Sequence, residues 1–147
     1  MKEHSVKHDT FFIERQYNAL PARVFAAWSD PAIKANWFPK AEEFDFRIGG
    51  REIVRGASPD GTIYTSVAIF QEIVPDNRIV YTLTIDMGET RISVSVLTVE
   101  FKSAGAGTQL VYTEQCAFLD GLDSKEDHME GAKDFLDKLD MELKRAD

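Results

Sequence analysis

Apolar and polar residues alternate through most of the middle of the chain, as they do in β-strands that bury one face. Around Leu83, for example, Tyr81, Leu83 and Ile85 alternate with threonines. Turn sequences such as Ser-Pro-Asp-Gly at 58–61 separate the alternating segments. The pattern predicts strands over residues 10–17, 44–48, 52–55, 62–73, 79–85, 91–102 and 109–118.

The alternation changes phase within one of these segments. Residues 91–102 carry apolar side chains at even positions up to Val96 and at odd positions from Leu97 onwards. A shift of one residue moves every later side chain to the other face of a sheet. The pattern therefore predicts a β-bulge at Val96–Leu97, or a segment that is buried on both faces.

Two short helices near the start and one long helix at the end complete the predicted elements. Pro21 and Pro31 suit the first positions of helices, because a helix does not need the N–H of its first residue. Ser124 begins a capping-box sequence in front of a helix over residues 125–145. Apolar residues recur in this helix at spacings of three and four and give it one apolar face: Met129, Ala132, Leu136, Leu139 and Leu143. The order of elements predicts an α+β fold with an antiparallel sheet on one long helix, which can enclose a cavity.

Composition narrows the class of protein. The chain has 147 residues, and we expect a single domain over 1–147 with residues 1–8 flexible. The net charge of −8 repels nucleic-acid phosphates and anionic membranes, and no apolar run approaches the roughly 20 residues that span a bilayer. The polar start of the chain lacks the apolar core of a secretory signal. The single cysteine, Cys116, excludes an internal disulfide and fits a cytoplasmic location.

With these elements placed, the chain resembles the SRPBCC superfamily of START-like, or helix-grip, domains. Within it, the sequence is similar to the branch named for the activator of the heat-shock-protein-90 ATPase. The resemblance implies a curved antiparallel sheet of about six to seven strands around a long C-terminal helix, with two short helices after the first strand. It rests on motifs that follow the family's order over nearly the whole chain, at 19–31, 37–38, 45–50, 73–80, 107–115, 118–121 and 131–139.

The chain departs from this branch in two ways. Many members have Trp after the glycine that corresponds to Gly131, whereas this chain has Ala132. If Ala132 faces the sheet, the missing indole predicts a larger pocket, unless Phe135 or Met129 fills it. The family name also implies a chaperone partner, but a lone domain lacks the second domain that such co-activators use, so this implication transfers poorly.

One residue is a candidate for catalytic chemistry. Alternation along the last strand puts Glu114 on the same face as Tyr112 and Cys116, where a carboxylate could orient a ligand or act as a general base. The alternatives are an ion pair with Arg15 on the first strand, or a solvated side chain.

The histidines do not point to a site. His4, His8 and His128 are not spaced with carboxylates as a metal site or a catalytic triad requires. We therefore expect all three to be solvated, and we predict no metal site and no cofactor.

The resemblance and the supply of aromatic residues favour the binding of a small hydrophobic or aromatic ligand between the sheet and the last helix, in a carrier or sequestration role. The alternatives are a polyketide cyclase-like or hydrolase-like enzyme that uses the same cavity, and a chaperone-cofactor-like interaction module. The chain could also form a homodimer. The candidate ligand-binding residues are Trp37, Phe38, Phe46, Tyr64, Tyr81, Leu83, Tyr112, Glu114, Phe118, Met129, Ala132 and Leu136.

Overall fold

A computed structural model describes residues 3–145. These residues form a curved, seven-stranded antiparallel sheet in the order β1-β7-β6-β5-β4-β3-β2. The α+β helix-grip fold expected from the sequence is therefore confirmed. The strands are β1 (Val6–Tyr17), β2 (Glu43–Phe44), β3 (Arg51–Ala57), β4 (Ile63–Val74), β5 (Arg78–Met87), β6 (Thr90–Ala104) and β7 (Gly107–Leu119).

Three helices begin at the residues that the capping signals predicted. They are α1 (Pro21–Ser29), α2 (Pro31–Lys34) and α3 (Lys125–Lys144). The side chain of Asp30 accepts a hydrogen bond of 2.9 Å from the backbone N–H of Ala32, and Ser124 accepts one of 3.2 Å from that of Asp127. These contacts satisfy N–H groups that have no partner inside their own helices. Within residues 3–145, no helix is both long and apolar enough to cross a membrane.

The core lies between the inner face of the sheet and helices α1 and α3. Leu136 and Leu139 on α3 are fully buried, and Trp28 on α1 is 2% exposed. Phe135 packs with its ring centroid 5.3–6.3 Å from those of four other aromatic residues, namely Trp28, Trp37, Phe38 and Tyr112. Edge-to-face contacts of this kind add to the stabilisation from burial. This aromatic cluster therefore fixes α3 against the sheet.

The predicted bulge at Val96–Leu97 is wrong. Strand β6 keeps one phase through this point, with Val94 and Val96 on the outer face at 39% and 38% exposure. The shift of register lies earlier, between Ile85 and Asp86, where β6 carries Ile92 as an extra residue. The inner face at this end of β6 is formed instead by two buried serines, Ser93 and Ser95.

The predicted strand at 44–48 is also largely wrong, because β2 stops at Phe44. The chain then turns back, and the turn is closed by backbone hydrogen bonds from the N–H of Arg47 to the carbonyl of Asp45 and from Gly50 to Arg47. Ile48, which the alternation placed inside, is 62% exposed.

The start of the chain is more ordered in structure than predicted. Residues 1 and 2 of the segment expected to be flexible lie outside the described residues. Val6, Lys7 and His8 form the first pairs of the ladder between β1 and β7, opposite Leu119, Phe118 and Ala117. The backbone N–H of Ser5 also donates a 2.8 Å hydrogen bond to the side chain of Asp120.

Candidate functional site

A small cavity lies between the sheet and α3. Its volume is about 80 Å³. Phe135 of α3 forms part of its wall, so the large side chain three residues after Ala132 occupies the space where a larger pocket was expected. Five of the other lining residues are apolar, namely Phe38, Val54, Ala68, Leu83 and Leu97. The other four carry polar groups, namely Glu52, Ser66, Tyr81 and Tyr112.

Two clefts on the surface adjoin this cavity. The first, which we name the helix cleft, has a volume of about 440 Å³ and shares Val54 and Ser66 with the cavity. Its other lining residues lie on β3 to β6 and at the start of α3, and include Tyr64, Ile85, Ile92, Asp123 and His128. The second, which we name the outer pocket, has a volume of about 220 Å³, lies beside α2 and shares Glu52 with the cavity.

The carboxylate of Glu114 lies at the centre of a buried hydrogen-bond network. Its Oε1 accepts a 3.0 Å hydrogen bond from the hydroxyl of Tyr112. Its Oε2 accepts from Ser95 at 3.2 Å and from the thiol of Cys116 at 3.3 Å. The residue is only 2% exposed. A buried carboxylate is tolerated where such donors compensate for the lost water.

The suggested ion pair between Glu114 and Arg15 is wrong. Glu114 lies opposite Phe11 in the β1–β7 ladder, and Arg15 lies four residues further along β1. The guanidinium of Arg15 instead contacts Asp137 of α3 at 2.6 Å. The predicted grouping of Glu114 with Tyr112 and Cys116 on one inward face is confirmed.

His128 completes this network, contrary to the prediction that it is solvated. Its imidazole is 7% exposed and lies between two carboxylates, with Nδ1 2.5 Å from Oε2 of Glu114 and Nε2 2.6 Å from Oδ2 of Asp123. Burial favours the neutral ring, but hydrogen bonds to Asp123, Cys116 and Glu114 outweigh it and raise the pKa of His128 to about 12. The ring is therefore an imidazolium that donates to both carboxylates at neutral pH.

The turn between β7 and α3 explains this contact. Asp120 and Gly121 both have positive φ angles, 57° and 69°, which reverse the chain after the end of β7. The cap at Ser124 then starts α3, so that His128 in its first turn returns over Glu114. The ring of Phe118 packs edge-on against the imidazole, with a centroid distance of 5.1 Å.

Two tyrosines extend the polar groups from this network into the cavity. Tyr81 and Tyr112 both line the cavity, and burial, with the nearby carboxylate charges, raises the pKa of both phenols well above the usual value. Both hydroxyls are therefore protonated at any physiological pH. Because the O–H of Tyr112 already donates to Glu114, Tyr112 offers a ligand an acceptor, whereas the hydroxyl of Tyr81 can donate or accept a hydrogen bond.

A buried ion pair closes the other side of the cavity. The ammonium of Lys34 lies 2.7 Å from Oε1 of Glu52, and the two side chains are 7% and 8% exposed. Nζ also lies 4.6 Å from the ring centre of Phe38 and 4.9 Å from that of Phe44. Burial lowers the pKa of Lys34, and the charge of Glu52 opposes this shift. Because Glu52 lines both spaces, this pair separates the cavity from the outer pocket.

The structure places the predicted ligand-binding residues in two groups. Those at the site are Phe38, Tyr81, Leu83 and Tyr112 on the cavity, Tyr64 on the helix cleft, and Glu114 in the network beneath. Those that belong to the surrounding hydrophobic core are Trp37, Phe46, Phe118, Met129, Ala132 and Leu136.

Sequence reasoning missed several polar residues of this site. The most important are His128 and Asp123, whose position depends on the β7–α3 turn, and the pair Lys34–Glu52, which lies on two distant elements. One signal was present in the sequence. Serines at 93 and 95, in phase with the apolar Leu97, Val99 and Phe101, indicated that the inner face of the sheet becomes polar at this end.

Comparisons with known proteins agree with this architecture. Residues 18–144 match the family model of the activator of Hsp90 ATPase homolog 1-like proteins. An uncharacterized protein from Rhizobium leguminosarum is 40% identical, with a TM-score of 0.93 over 99% of this chain and 100% of that chain. The Mll3558 protein from Rhizobium loti is 43% identical, with a TM-score of 0.89 over 94% of this chain and 99% of that chain. No curated protein matches this chain.

A more distant structure shares the fold alone. This is a protein from the dynemicin biosynthetic locus, 17% identical, with a TM-score of 0.72 over 92% of this chain and 47% of that chain.

Proposed function

Because the chain belongs to the family of activator of Hsp90 ATPase homolog 1-like proteins, within the SRPBCC superfamily, we propose that it binds a small, largely apolar molecule between its sheet and α3, as a carrier or in sequestration. The observation that carries the proposal is the cavity with apolar walls and the hydroxyls of Tyr81 and Tyr112. Ligand sites commonly combine apolar walls with a few polar groups that orient the ligand.

The size of the cavity indicates how such a ligand lies. A volume of about 80 Å³ is smaller than the roughly 150 Å³ of an engineered cavity that takes up benzene. A ligand with an aromatic ring therefore extends beyond the cavity. The helix cleft, at about 440 Å³, falls within the usual range for ligand sites and adjoins the cavity at Val54 and Ser66. We expect the ligand to occupy the cleft and insert one end into the cavity.

The charges around the cavity favour a neutral ligand. Glu52 lines the cavity, and Glu114 lies one hydrogen bond away behind Tyr112. Lys34 balances the charge of Glu52, but Glu114 and Asp123 share the single positive charge of His128, which leaves an excess of negative charge beside the cavity. This excess would repel an anionic ligand in a region of low polarity. A neutral molecule with one hydroxyl or carbonyl group would meet the tyrosine hydroxyls without this penalty. The proposed class is therefore a neutral, mainly apolar molecule with a hydrogen-bonding group at one end.

A matched pair of probes tests this proposal. N-phenyl-1-naphthylamine and 1-anilinonaphthalene-8-sulfonate share an aromatic frame, but only the second is an anion. We expect the neutral probe to bind at least tenfold more tightly when both are titrated by fluorescence. Ala68→Leu, which adds volume to the cavity wall, should weaken the neutral probe, whereas Val67→Leu on the outer face should not. Equal affinities for the two probes, or no effect of Ala68→Leu, would contradict the proposal.

One observation favours a second candidate, an enzyme that transfers a proton to or from the same ligand. His128 lines the helix cleft and is hydrogen-bonded to Glu114, which is in turn hydrogen-bonded to Tyr112 on the cavity. A buried acid–base pair beside a ligand site is the arrangement of a general acid or base. Under this candidate, Glu114→Gln abolishes turnover of a natural ligand recovered from the protein but keeps its affinity. A variant that retains full turnover would exclude Glu114 from the chemistry.

A further inference from the structure

Three different metal-binding atoms converge in the network around Glu114. Oε2 of Glu114, Sγ of Cys116 and Nδ1 of His128 all lie within 4.8 Å of one another. All three side chains are almost completely shielded from water, with the imidazole at 7% exposure and the carboxylate at 3%. We propose that Glu114, Cys116 and His128 form a binding site for Zn²⁺, with Asp123 holding the imidazole from behind.

The set of donor atoms suits this ion. Zn²⁺ binds thiolate, imidazole and carboxylate ligands, and three protein ligands leave a fourth position for water or a substrate atom. Bonds of about 2.0–2.3 Å in a tetrahedral site put the ligand atoms roughly 3.3–3.8 Å apart. Sγ and Oε2 already lie 3.3 Å apart, whereas Nδ1 and Oε2 are 2.5 Å apart. The ion therefore requires the second pair to separate by about 1 Å.

The groups around the donors match the outer layer of a zinc site. A histidine that binds a metal through one nitrogen usually donates its other N–H to a carboxylate, which fixes the ring. Asp123 does this for Nε2 of His128 at 2.6 Å and so leaves Nδ1 to face the other two donors. Hydrogen bonds from Tyr112 and Ser95 hold the carboxylate of Glu114 in the same way.

Charge balance and access also fit a divalent cation. When Zn²⁺ binds, the proton on Nδ1 and the thiol proton are released to solvent, so that the ion meets one thiolate, one carboxylate and a neutral imidazole. Glu126 and Asp127 in the first turn of α3 offset the positive end of the helix. The ion can approach from the helix cleft, since Asp123 and His128 line it.

The chain offers an unusually clear spectroscopic test, because Cys116 is its only cysteine. Co²⁺ serves as a coloured substitute for Zn²⁺ and shows a sulfur-to-metal charge-transfer band when a thiolate binds it. We expect chelator-treated protein to gain this band at one equivalent of Co²⁺, and Zn²⁺ to displace it. Cys116→Ser should abolish the band, and His128→Gln should weaken binding at least 100-fold. Asp123→Asn should weaken it by roughly 10–100-fold.

His8→Gln is the matched control, because His8 is exposed on β1 and should leave metal binding unchanged. Thermal unfolding in chelator establishes whether each variant folds. If His128→Gln does not fold, the Cys116→Ser variant provides the test. Absence of a thiolate band with Co²⁺, or equal Zn²⁺ affinity for wild type and Cys116→Ser, would overturn the proposal. His128 and Glu114 would then be joined only by a hydrogen bond. The result is independent of the proposed ligand function, since the metal titration uses no organic probe.

Discussion

The ion pair between Lys34 and Glu52 allows a quantitative test of how the cavity wall is held together. At a separation of 2.7 Å and an effective dielectric constant of about 20, the attraction between the two charges is about 6 kcal/mol. Desolvation of each ion costs several kcal/mol, so the net contribution of the pair is small. Removal of one partner is different, because it leaves the other charge buried and unpaired.

We therefore expect each single substitution to destabilise the protein and the double substitution to do much less damage. Lys34→Met should cost about 3–5 kcal/mol at pH 7. Glu52→Gln should fall at the lower end of that range, because the rings of Phe38 and Phe44 continue to stabilise the ammonium. The combined variant should be close to wild type, which gives a large coupling energy in a double-mutant cycle.

The two single variants should respond differently to pH. Burial lowers the pKa of Lys34, so above that pKa the folded state binds fewer protons than the unfolded state. Stability of Glu52→Gln therefore rises with pH, by at most about 1.4 kcal/mol per unit, until the unfolded lysine also deprotonates near pH 10.4. Lys34→Met lacks this lysine and should not show the same rise.

Urea unfolding followed by tryptophan fluorescence measures these effects, since Trp28 and Trp37 are both 2% exposed in the folded protein. The measurements run from pH 5 to pH 10 at constant ionic strength, with the m-values compared to verify that all variants unfold alike. A cost below 1 kcal/mol for both single variants, or parallel pH profiles, would refute the reasoning and indicate that water reaches the pair.

Two further predictions concern buried hydroxyl groups, and both are measured by urea unfolding at pH 7. Ser95→Ala removes a donor to Glu114 and should cost about 1–3 kcal/mol, whereas Ser93→Ala should be neutral or stabilising, because the Ser93 hydroxyl has no partner among the described residues. Equal costs for the two serines would contradict this assignment. Tyr17→Phe should cost about 1–2 kcal/mol, because the Tyr17 hydroxyl donates a 2.9 Å hydrogen bond to the carbonyl of Leu136 and ties β1 to α3; an unchanged stability would indicate that water replaces this bond.

The long elements of the fold could be predicted because their signals are local. Alternation within β5 and β7, the capping residue Ser124 and the apolar stripe of α3 each depend only on neighbours in sequence. The strand predicted at 44–48 failed because a non-local constraint decides that segment. A side chain at Gly50 would place its Cβ 2.1 Å from the carbonyl oxygen of Asp45, so the turn depends on close backbone contact that alternation does not report.

The candidate site could be predicted only in part for the same reason. Alternation along β7 grouped Glu114 with Tyr112 and Cys116 but left open an ion pair with Arg15 or a solvated side chain, and the structure buries Glu114 to 2% exposure. His128 was expected in solvent because no histidine is spaced with carboxylates in the sequence. Its two carboxylates come from β7 and from the turn before α3, and they meet its ring only after Asp120 and Gly121 reverse the chain.

In β6 the apolar pattern of the sequence changes phase, but the strand itself does not. If burial of apolar groups alone determined this strand, Val94 and Val96 would face the core, yet both are more than a third exposed. The strand instead turns Ser93 and Ser95 inward, and Ser95 donates to the carboxylate that contacts His128. A conflict between local pattern and overall fold is expected where a protein gives up stability for function. The inward serines therefore fit the proposed site at this end of the sheet, where burial of apolar groups alone does not account for the sequence.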